Sequence, residues 1–150
     1  MFLVKDTIQK RHQMIRSFLD KEPAIAVLLA AADFEWTVRR AILACGSSSI
    51  KDLRQRKLNG PFAYAACWKT EVTPRFHKTL QTVIRDWELF RRAFQLRHKL
   101  IHGIQGTTGR DYACRQVEII ISASNSIVEF AAINRAQVYG VRIRRVKSRF

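Results

Sequence analysis

The sequence predicts an all-α fold, an antiparallel bundle of four main helices with one short helix and a basic C-terminal tail. Apolar residues recur every three or four positions through much of the chain, which is the spacing of one helix face. Clusters of glycine, proline and serine end these stretches at lengths typical of helices. Strict alternation of apolar and polar residues, which would indicate half-buried strands, is not sustained before the C-terminal tail.

The first two helices follow from local start and stop signals. Residues 3 to 19 carry apolar residues loosely at helical spacing among Lys, Arg and Gln, which predicts a first helix. A second helix begins near Pro23, because proline suits a first helical turn. It continues to about Cys45, where Gly46 and three serines end it.

The segment after the second helix is less regular. Ser49 can cap a short third helix over roughly residues 50 to 58. Asn59-Gly60-Pro61 has the composition of a turn. Residues 62 to 73 fit either an irregular aromatic lid or another helical turn, and the sequence leaves both open.

The most regular apolar pattern follows Thr73-Pro74 and predicts one long amphipathic helix that ends at Gly103. Its apolar stripe consists of Phe76, Leu80, Val83, Trp87, Phe90 and Phe94. A Gly/Thr loop over residues 103 to 109 then leads to a last helix over residues 111 to 136. The inward face of that helix is expected to contain Val117, Ile120, Ile121, Ile127, Val128 and Ala131.

The chain is expected to form one helical domain over residues 1–136, followed by a tail over residues 137–150 that is not a separate domain. Residues 142–149 hold five basic side chains and no acidic one. The tail could form a short edge strand or a flexible arm that contacts phosphates.

The composition indicates a folded protein with a polyanionic partner. Its 150 residues suffice for one core, and apolar residues make up 47%. Lys and Arg number 27 against 12 Asp and Glu, and the net charge of +15 is unfavourable in a compact chain. Nucleic acid is the leading candidate for that partner, ahead of an acidic protein or a membrane surface. The alternative is that the charge has no partner and only maintains solubility.

The sequence also suggests a soluble, cytoplasmic protein with no membrane partner. Residues 1 to 6 turn polar too early for the core of a signal peptide, and no run of about 18 apolar residues is available to span a bilayer. Cys45, Cys67 and Cys114 show no short Cys-x-x-Cys spacing, so we interpret them as buried thiols in a reducing compartment.

The end of the long helix carries the strongest candidate site, with Arg97, His98, Lys99 and His102 in one short segment. An arginine a few residues before a histidine is common in so basic a chain, but Arg97 takes a position that the apolar stripe would otherwise occupy. A charge there must be paired, or must face a pocket or a partner subunit. His102 lies about 140° further round an ideal helix. Either the helix loosens before Gly103, or two copies of the chain share one pocket across a dimer axis.

A second candidate lies on the second helix, where Glu35 and Arg39 interrupt an apparently apolar face and Arg40 is adjacent. Leu28, Ala32 and Ile42 complete that face. The simple interpretation is an i,i+4 ion pair. Two polar residues on a face expected to be buried favour instead a meeting of this face with the Arg97 site. Asn125, in the middle of the last helix, is a further candidate for lining the pocket.

Metal binding is not expected at this site. His98 and His102 have the i,i+4 spacing of metal ligands on a helix, but no nearby Cys, Asp or Glu supplies a third ligand. No cofactor motif is found either, since the Gly/Thr loop lacks the lysine and spacing of a phosphate-binding loop.

With the segment Arg97-His98-Lys99-Leu100-Ile101-His102 at a helix end, the chain resembles the HEPN superfamily of small helical ribonucleases. The mark of that family is an arginine, a polar residue, a short spacer and a histidine at the end of a long helix. Several of its ribonuclease branches add a glutamate followed after three residues by Lys or Arg pairs, here Glu35 with Arg39 and Arg40. The resemblance implies a HEPN-like bundle over residues 1–136.

The resemblance implies a dimeric, metal-independent endoribonuclease with a composite active site and no cofactor. His102 would act as general base on the 2′-hydroxyl or general acid on the departing 5′-oxygen, leaving a 2′,3′-cyclic phosphate. Arg97 would neutralise the charge that develops on the phosphoryl oxygens, and Glu35 would orient Arg97 or His102. Arg39 and Arg40 would hold flanking phosphates, with His98, Lys99 and Asn125 in supporting positions.

The biological role implied is that of a toxin or phage-defence effector acting on tRNA or mRNA. HEPN toxins silenced by a nucleotidyltransferase usually carry a tyrosine two residues after the histidine, where this chain has Ile104, so that regulation is not implied. Two alternatives stay open: a non-catalytic helical module that binds RNA or assembles with a protein, and an adaptor for an acidic antitoxin or other regulatory protein.

Overall fold

A computed structural model describes residues 7–104, 106–139 and 142–146, and within them the protein is all-α, as predicted. The described residues form eight helices joined by short connections, and they contain no strand beyond one isolated bridge between Gln137 and Arg144. The helices are α1 Ile8–Ser17, α2 Pro23–Cys45, α3 Ile50–Gln55, α4 Gly60–Glu71, α5 Thr73–Phe76, α6 Leu80–Val83, α7 Trp87–His102 and α8 Arg110–Ile133.

The core forms where α2 packs against α8, with α7 packed against both. Phe34 of α2 lies at its centre, with ring centroids 4.4 Å from Phe90 and 5.8 Å from Phe94, both on α7. Tyr64 of α4 adds an edge-on contact at 6.2 Å. Aromatic pairs of this geometry contribute roughly 0.5–1.5 kcal/mol each beyond the burial of their area. The position of α7 therefore depends on its contact with Phe34.

The helix starts predicted from proline and capping residues are confirmed. α2 begins at Pro23 and ends at Cys45 as predicted. Ser49 caps α3 through a reciprocal capping box with Asp52, although the helix itself ends at Gln55. The predicted first helix is confirmed from residue 8 to residue 17. It ends two residues earlier than predicted, Thr7 is its N-cap, and residues 3 to 6 lie outside the described residues.

The turn expected at residues 59 to 61 is wrong, because α4 begins at Gly60 and continues to Glu71. Gly60 has a φ of +79°, which a residue with a side chain rarely adopts, and Pro61 occupies the first helical turn. Glycine and proline therefore start a helix here. Of the two interpretations left open for residues 62 to 73, the helical one is confirmed.

The single helix predicted from residue 74 to Gly103 is also wrong, since the chain bends twice and forms α5, α6 and α7. His77 takes a left-handed conformation with φ 57°, and the carbonyl of Lys78 accepts hydrogen bonds from Trp68 Nε1 and Thr73 Oγ1, both at 3.0 Å. Asp86 then caps α7 by accepting from Leu89 N. The apolar stripe nevertheless packs inward on all three pieces. Leu80, Phe90 and Phe94 are buried, and Phe76, Val83 and Trp87 are partly buried against the core.

The predicted last helix is confirmed as α8, with bounds shifted slightly to Arg110–Ile133. Five of its six expected inward residues are buried, and Val128 is half-buried. By length and composition alone, α8 is the one helix among the described residues that could cross a membrane. Its buried face packs on α2 and α7 in the core, which is the arrangement expected of the central helix of a bundle.

The described part of the C-terminal tail packs against the helical domain. Val146 donates its backbone N–H to the Ala44 carbonyl at 2.9 Å, and Arg145 donates to the Ser48 carbonyl at 3.0 Å. Arg75 donates to the Val146 carbonyl at 3.3 Å. The flexible-arm interpretation is therefore wrong for residues 142–146, and residues 147–150 lie outside the described residues.

Glu71, the last residue of α4, anchors the loop that follows α2. Its carboxylate accepts hydrogen bonds from the backbone N–H groups of Ser47 and Ser48, from Ser48 Oγ at 2.5 Å and from Arg56 at 2.9 Å. Burial alone would raise the pKa of Glu71, but these donors outweigh it and lower the pKa to about 2. The ionised form thus stabilises the fold.

Glu71→Gln is expected to lower the free energy of unfolding by on the order of 2–3 kcal/mol at pH 7. Because the pKa of Glu71 is lower in the folded protein, the stabilisation is present above the unfolded-state pKa and is lost between pH 4.5 and about 2. Denaturant titrations across this range measure the effect.

Glu118→Gln is the matched control, since its ion pair with Arg16 is nearly half exposed and should contribute under about 1 kcal/mol. Equal losses in the two variants at pH 7 would contradict a special role for Glu71.

Candidate functional site

The last two turns of α7 lie at the edge of the core and carry the candidate residues. Phe90 and Phe94 are buried, but the stripe reaches the surface at Arg97, which is half-buried, and Ile101 is 47% exposed. The helix ends at Gly103, whose N–H donates to the Lys99 carbonyl at 2.7 Å. The predicted position of Arg97 on the apolar stripe therefore places it at the edge of the core.

Arg97 and His98 line an open pocket of about 230 Å³ between α7 and the start of α4. Residues 59–62 form one wall of the pocket. On the α7 side, Arg91, Phe94 and Gln95 complete the lining. Two segments that are about 30 residues apart in the sequence, 59–62 and 91–98, thus meet at this pocket.

His102 lies one turn beyond His98, and their ring centroids are 4.7 Å apart. His102 is exposed and does not itself line the pocket. Within the described part of the chain, the side chains of Arg97, His98 and His102 make no hydrogen bond or ion pair with the protein. One cation and two imidazoles are therefore available to a ligand at this helix end.

Glu35 and Arg39 lie beside Tyr64 rather than beside Arg97. Arg39 donates to the Leu58 carbonyl at 3.1 Å, and its guanidinium carbon is 5.6 Å from the Tyr64 ring centroid. Burial and then the Glu35 carboxylate raise the pKa of Tyr64, an effect that Arg39 partly offsets. Among the described residues, no hydrogen bond or ion pair joins Glu35 to Arg97 or His102.

The face of α2 that carries Glu35 and Arg39 is not the buried one. Ala32 and Arg39 are exposed and Glu35 is half-buried, so the predicted apolar stripe through these positions is wrong. α2 is apolar almost all round, and such a pattern does not indicate which face enters the core. Asp33 is the charged residue of this helix that is fully buried, and the sequence pattern did not single it out.

Arg40 points to a different part of the molecule from Arg39. Its Nε donates to the Val138 carbonyl at 2.6 Å, and its guanidinium carbon is 4.5 Å from the Trp36 ring centroid. Burial, followed by the nearby charge of Arg11, lowers the pKa of Arg40. Arg40 thus binds the start of the tail to α2.

A buried ionic cluster underlies this contact. Arg11 and His12 of α1 are 2% and 4% exposed, and both pair with Asp33, at 3.2 Å for His12 Nε2. The Arg11 guanidinium also lies 4.1 Å from the Trp36 ring centroid. A lone aspartate inside an apolar helix is the signal that could have predicted the cluster, because a buried carboxylate requires a partner.

The remaining candidates are exposed. Lys99 is on the solvent side of α7, and Asn125 is exposed on α8 and does not line the pocket. In the described ranges, no group of three His, Cys, Asp or Glu side chains is placed to hold a metal ion. Arg97 and His98 are thus the predicted site residues that the pocket brings together, with His102 adjacent to them.

Comparison with known proteins does not identify a family, because no family model, curated protein or solved structure matches the chain.

Asp33→Asn is expected to destabilise the protein by about 3–5 kcal/mol, because it leaves the buried Arg11 charge uncompensated. Chemical denaturation measures the change. Asp20→Asn is the control, because it removes an exposed ion pair with Arg110 and should change stability little. A loss at Asp33 no larger than at Asp20 would show that Arg11 does not depend on Asp33.

Proposed function

We propose that this protein is a metal-independent endoribonuclease that acts at the end of α7. The observation that carries the proposal is the grouping of Arg97, His98 and His102 at one helix end. Their side chains make no hydrogen bond or ion pair with the protein within the described residues. An arginine for a phosphate and histidines for proton transfer are sufficient for RNA cleavage, because RNA supplies its own nucleophile.

In the proposed reaction, the 2′-hydroxyl oxygen of one nucleotide attacks its own 3′-phosphorus. His102 removes the hydroxyl proton as general base or gives a proton to the departing 5′-oxygen as general acid. Arg97 neutralises the negative charge that grows on the phosphoryl oxygens. The bond from phosphorus to the 5′-oxygen breaks, which leaves a 2′,3′-cyclic phosphate and a 5′-hydroxyl end.

We further propose that two copies of the chain build the active site together. Ile101 and Ile104 are 47% and fully exposed beside His102, and such apolar groups at the surface favour a protein contact. A twofold axis near them would bring His102 of one copy towards the Arg97 pocket of the other. A toxin or phage-defence role, with tRNA or mRNA as substrate, and control by an antitoxin belong to the same proposal.

One observation favours a second function, that of a non-catalytic RNA-binding module. Within the described residues, no carboxylate is hydrogen-bonded to His98 or His102, so neither imidazole is oriented by an acid in the single chain. The net charge of +15 would still attract RNA. This alternative predicts salt-sensitive binding that His102→Ala leaves intact, without cleavage.

Cleavage of tRNA or mRNA by the purified protein in EDTA tests catalysis. Wild type should cleave, and His102→Ala and Arg97→Ala should each lower the rate at least about 100-fold, as expected for loss of proton transfer or charge stabilisation. His77→Asn is the matched control, because it removes another exposed histidine at a left-handed position that asparagine tolerates. Equal rates for wild type and His102→Ala would reject the catalytic proposal.

Mixing the two inactive variants tests the shared site. If Arg97 of one copy acts with His102 of the other, a dimer of His102→Ala with Arg97→Ala keeps one intact site. After subunits exchange in an equimolar mixture, about half of the dimers contain one copy of each variant, and each mixed dimer has one intact site out of two. Roughly a quarter of wild-type activity should therefore return. No recovery in mixtures shown to contain mixed dimers would place the site within one chain.

A further inference from the structure

We infer that Phe62, Asn59 and Gln95 form a subsite for one unpaired nucleobase of single-stranded RNA, next to Arg97 and His98. The inference deepens the proposed function, because it rests on RNA being the ligand of this pocket. It adds the class of substrate, an unstacked strand, and the residues that select it.

The platform of the subsite is Phe62, in the first turn of α4. Its side chain is 66% exposed even though the core is rich in aromatic contacts. The guanidinium carbon of Arg91 lies 5.9 Å from its ring centroid. Arg91 Nη2 also donates to Glu88 Oε2 at 3.1 Å, which orients the guanidinium. An exposed aromatic ring beside an oriented arginine is the arrangement on which unpaired bases stack.

The walls of the pocket offer groups that suit the edge of a base. Asn59, just before α4, and Gln95, on α7, both line the pocket, and each side-chain amide has two donors and an acceptor. Neither amide has a hydrogen-bond partner in the protein within the described residues. Phe94, which is 4% exposed, contributes apolar surface to the pocket. Apolar surface with a few free polar groups is typical of a small-molecule site.

The size and charge of the pocket select the occupant. Its volume of about 230 Å³ is below the roughly 300–1,000 Å³ of sites that enclose whole ligands, so a single base fits better than a nucleotide. Arg91 and Arg97 at its edge can contact the adjoining phosphates. A base that enters must leave its stack, which favours single strands, loops and bulges over duplex RNA.

The chain offers a matched control for Phe62. Tyr112 is 48% exposed, and the Arg115 guanidinium carbon lies 5.9 Å from its ring centroid, but this pair does not line the pocket. Substitution of Tyr112 therefore removes an aromatic ring and an arginine contact of the same kind at a different place.

The test measures binding of a 2′-O-methyl RNA decamer, which cannot be cleaved, by fluorescence anisotropy at low salt. Phe62→Ala should weaken binding about 5- to 150-fold, the loss typical of one stacked base, while Phe62→Trp and Tyr112→Ala retain it. A decamer with the same backbone but no bases should bind weakly to wild type, and Phe62→Ala should not weaken it further. Asn59→Ala and Gln95→Ala should change the preference among homopolymer decamers.

Equal weakening of the base-containing and base-free decamers by Phe62→Ala would overturn the inference, since it would mean that the ring acts on folding or dimerisation. Unchanged binding by Phe62→Ala would overturn it as well. The decamer is not cleaved, so this binding test does not depend on catalysis. Absence of ribonuclease activity would reject the proposed function but would not change the measured effect of Phe62→Ala on binding.

Discussion

The contact of Phe34 with Phe90 and Phe94 is the interaction on which the rest of the structure depends. It fixes α7 against α2 through rings that are buried and 4.4 to 5.8 Å apart. Because α7 is a continuous helix from Trp87 to His102, fixing its first half also fixes the direction of its last turn. The part of α7 from Arg91 to His98 meets residues 59–62 at the pocket, and the last turn carries His102 beside it. The position of the candidate site therefore depends on the packing of α7 against Phe34.

The large positive charge of the chain is divided between structural and available groups. Arg11 pairs with Asp33 inside the protein, and Arg56 pairs with Glu71. Arg75 donates to the carbonyls of Cys45 and Val146, and Arg145 donates to that of Ser48, so both attach the tail to the end of α2 and the loop after it. These arginines serve the fold. At the end of α7, Arg97 has no protein partner in the described residues, lines a pocket and is followed by His98 and His102, and this combination is why a site for an anion is proposed there.

The sequence predicted the placement of Arg97 relative to the core better than that of Glu35, for a physical reason. α7 has a sharply one-sided apolar pattern, so the position of Arg97 relative to the core could be read from its spacing. α2 is apolar on nearly every side, and spacing selected the face of Glu35 when Asp33 is the residue inside the core. Adjacent positions on a helix point about 100° apart, so Arg39 and Arg40 reach separate partners that only packing could specify.

By itself the sequence determined the all-α class, the limits of α2, the capped start of α3 and the placement of arginine and two histidines at one helix end. Each depends on contacts within a few residues, such as the capping box of Ser49 and Asp52. Tertiary structure decided the breaks that divide the predicted long helix, where Trp68 binds the Lys78 carbonyl, and the approach of Phe62 to Arg91. Those contacts join residues that are distant in the chain, and local periodicity carries no information about them.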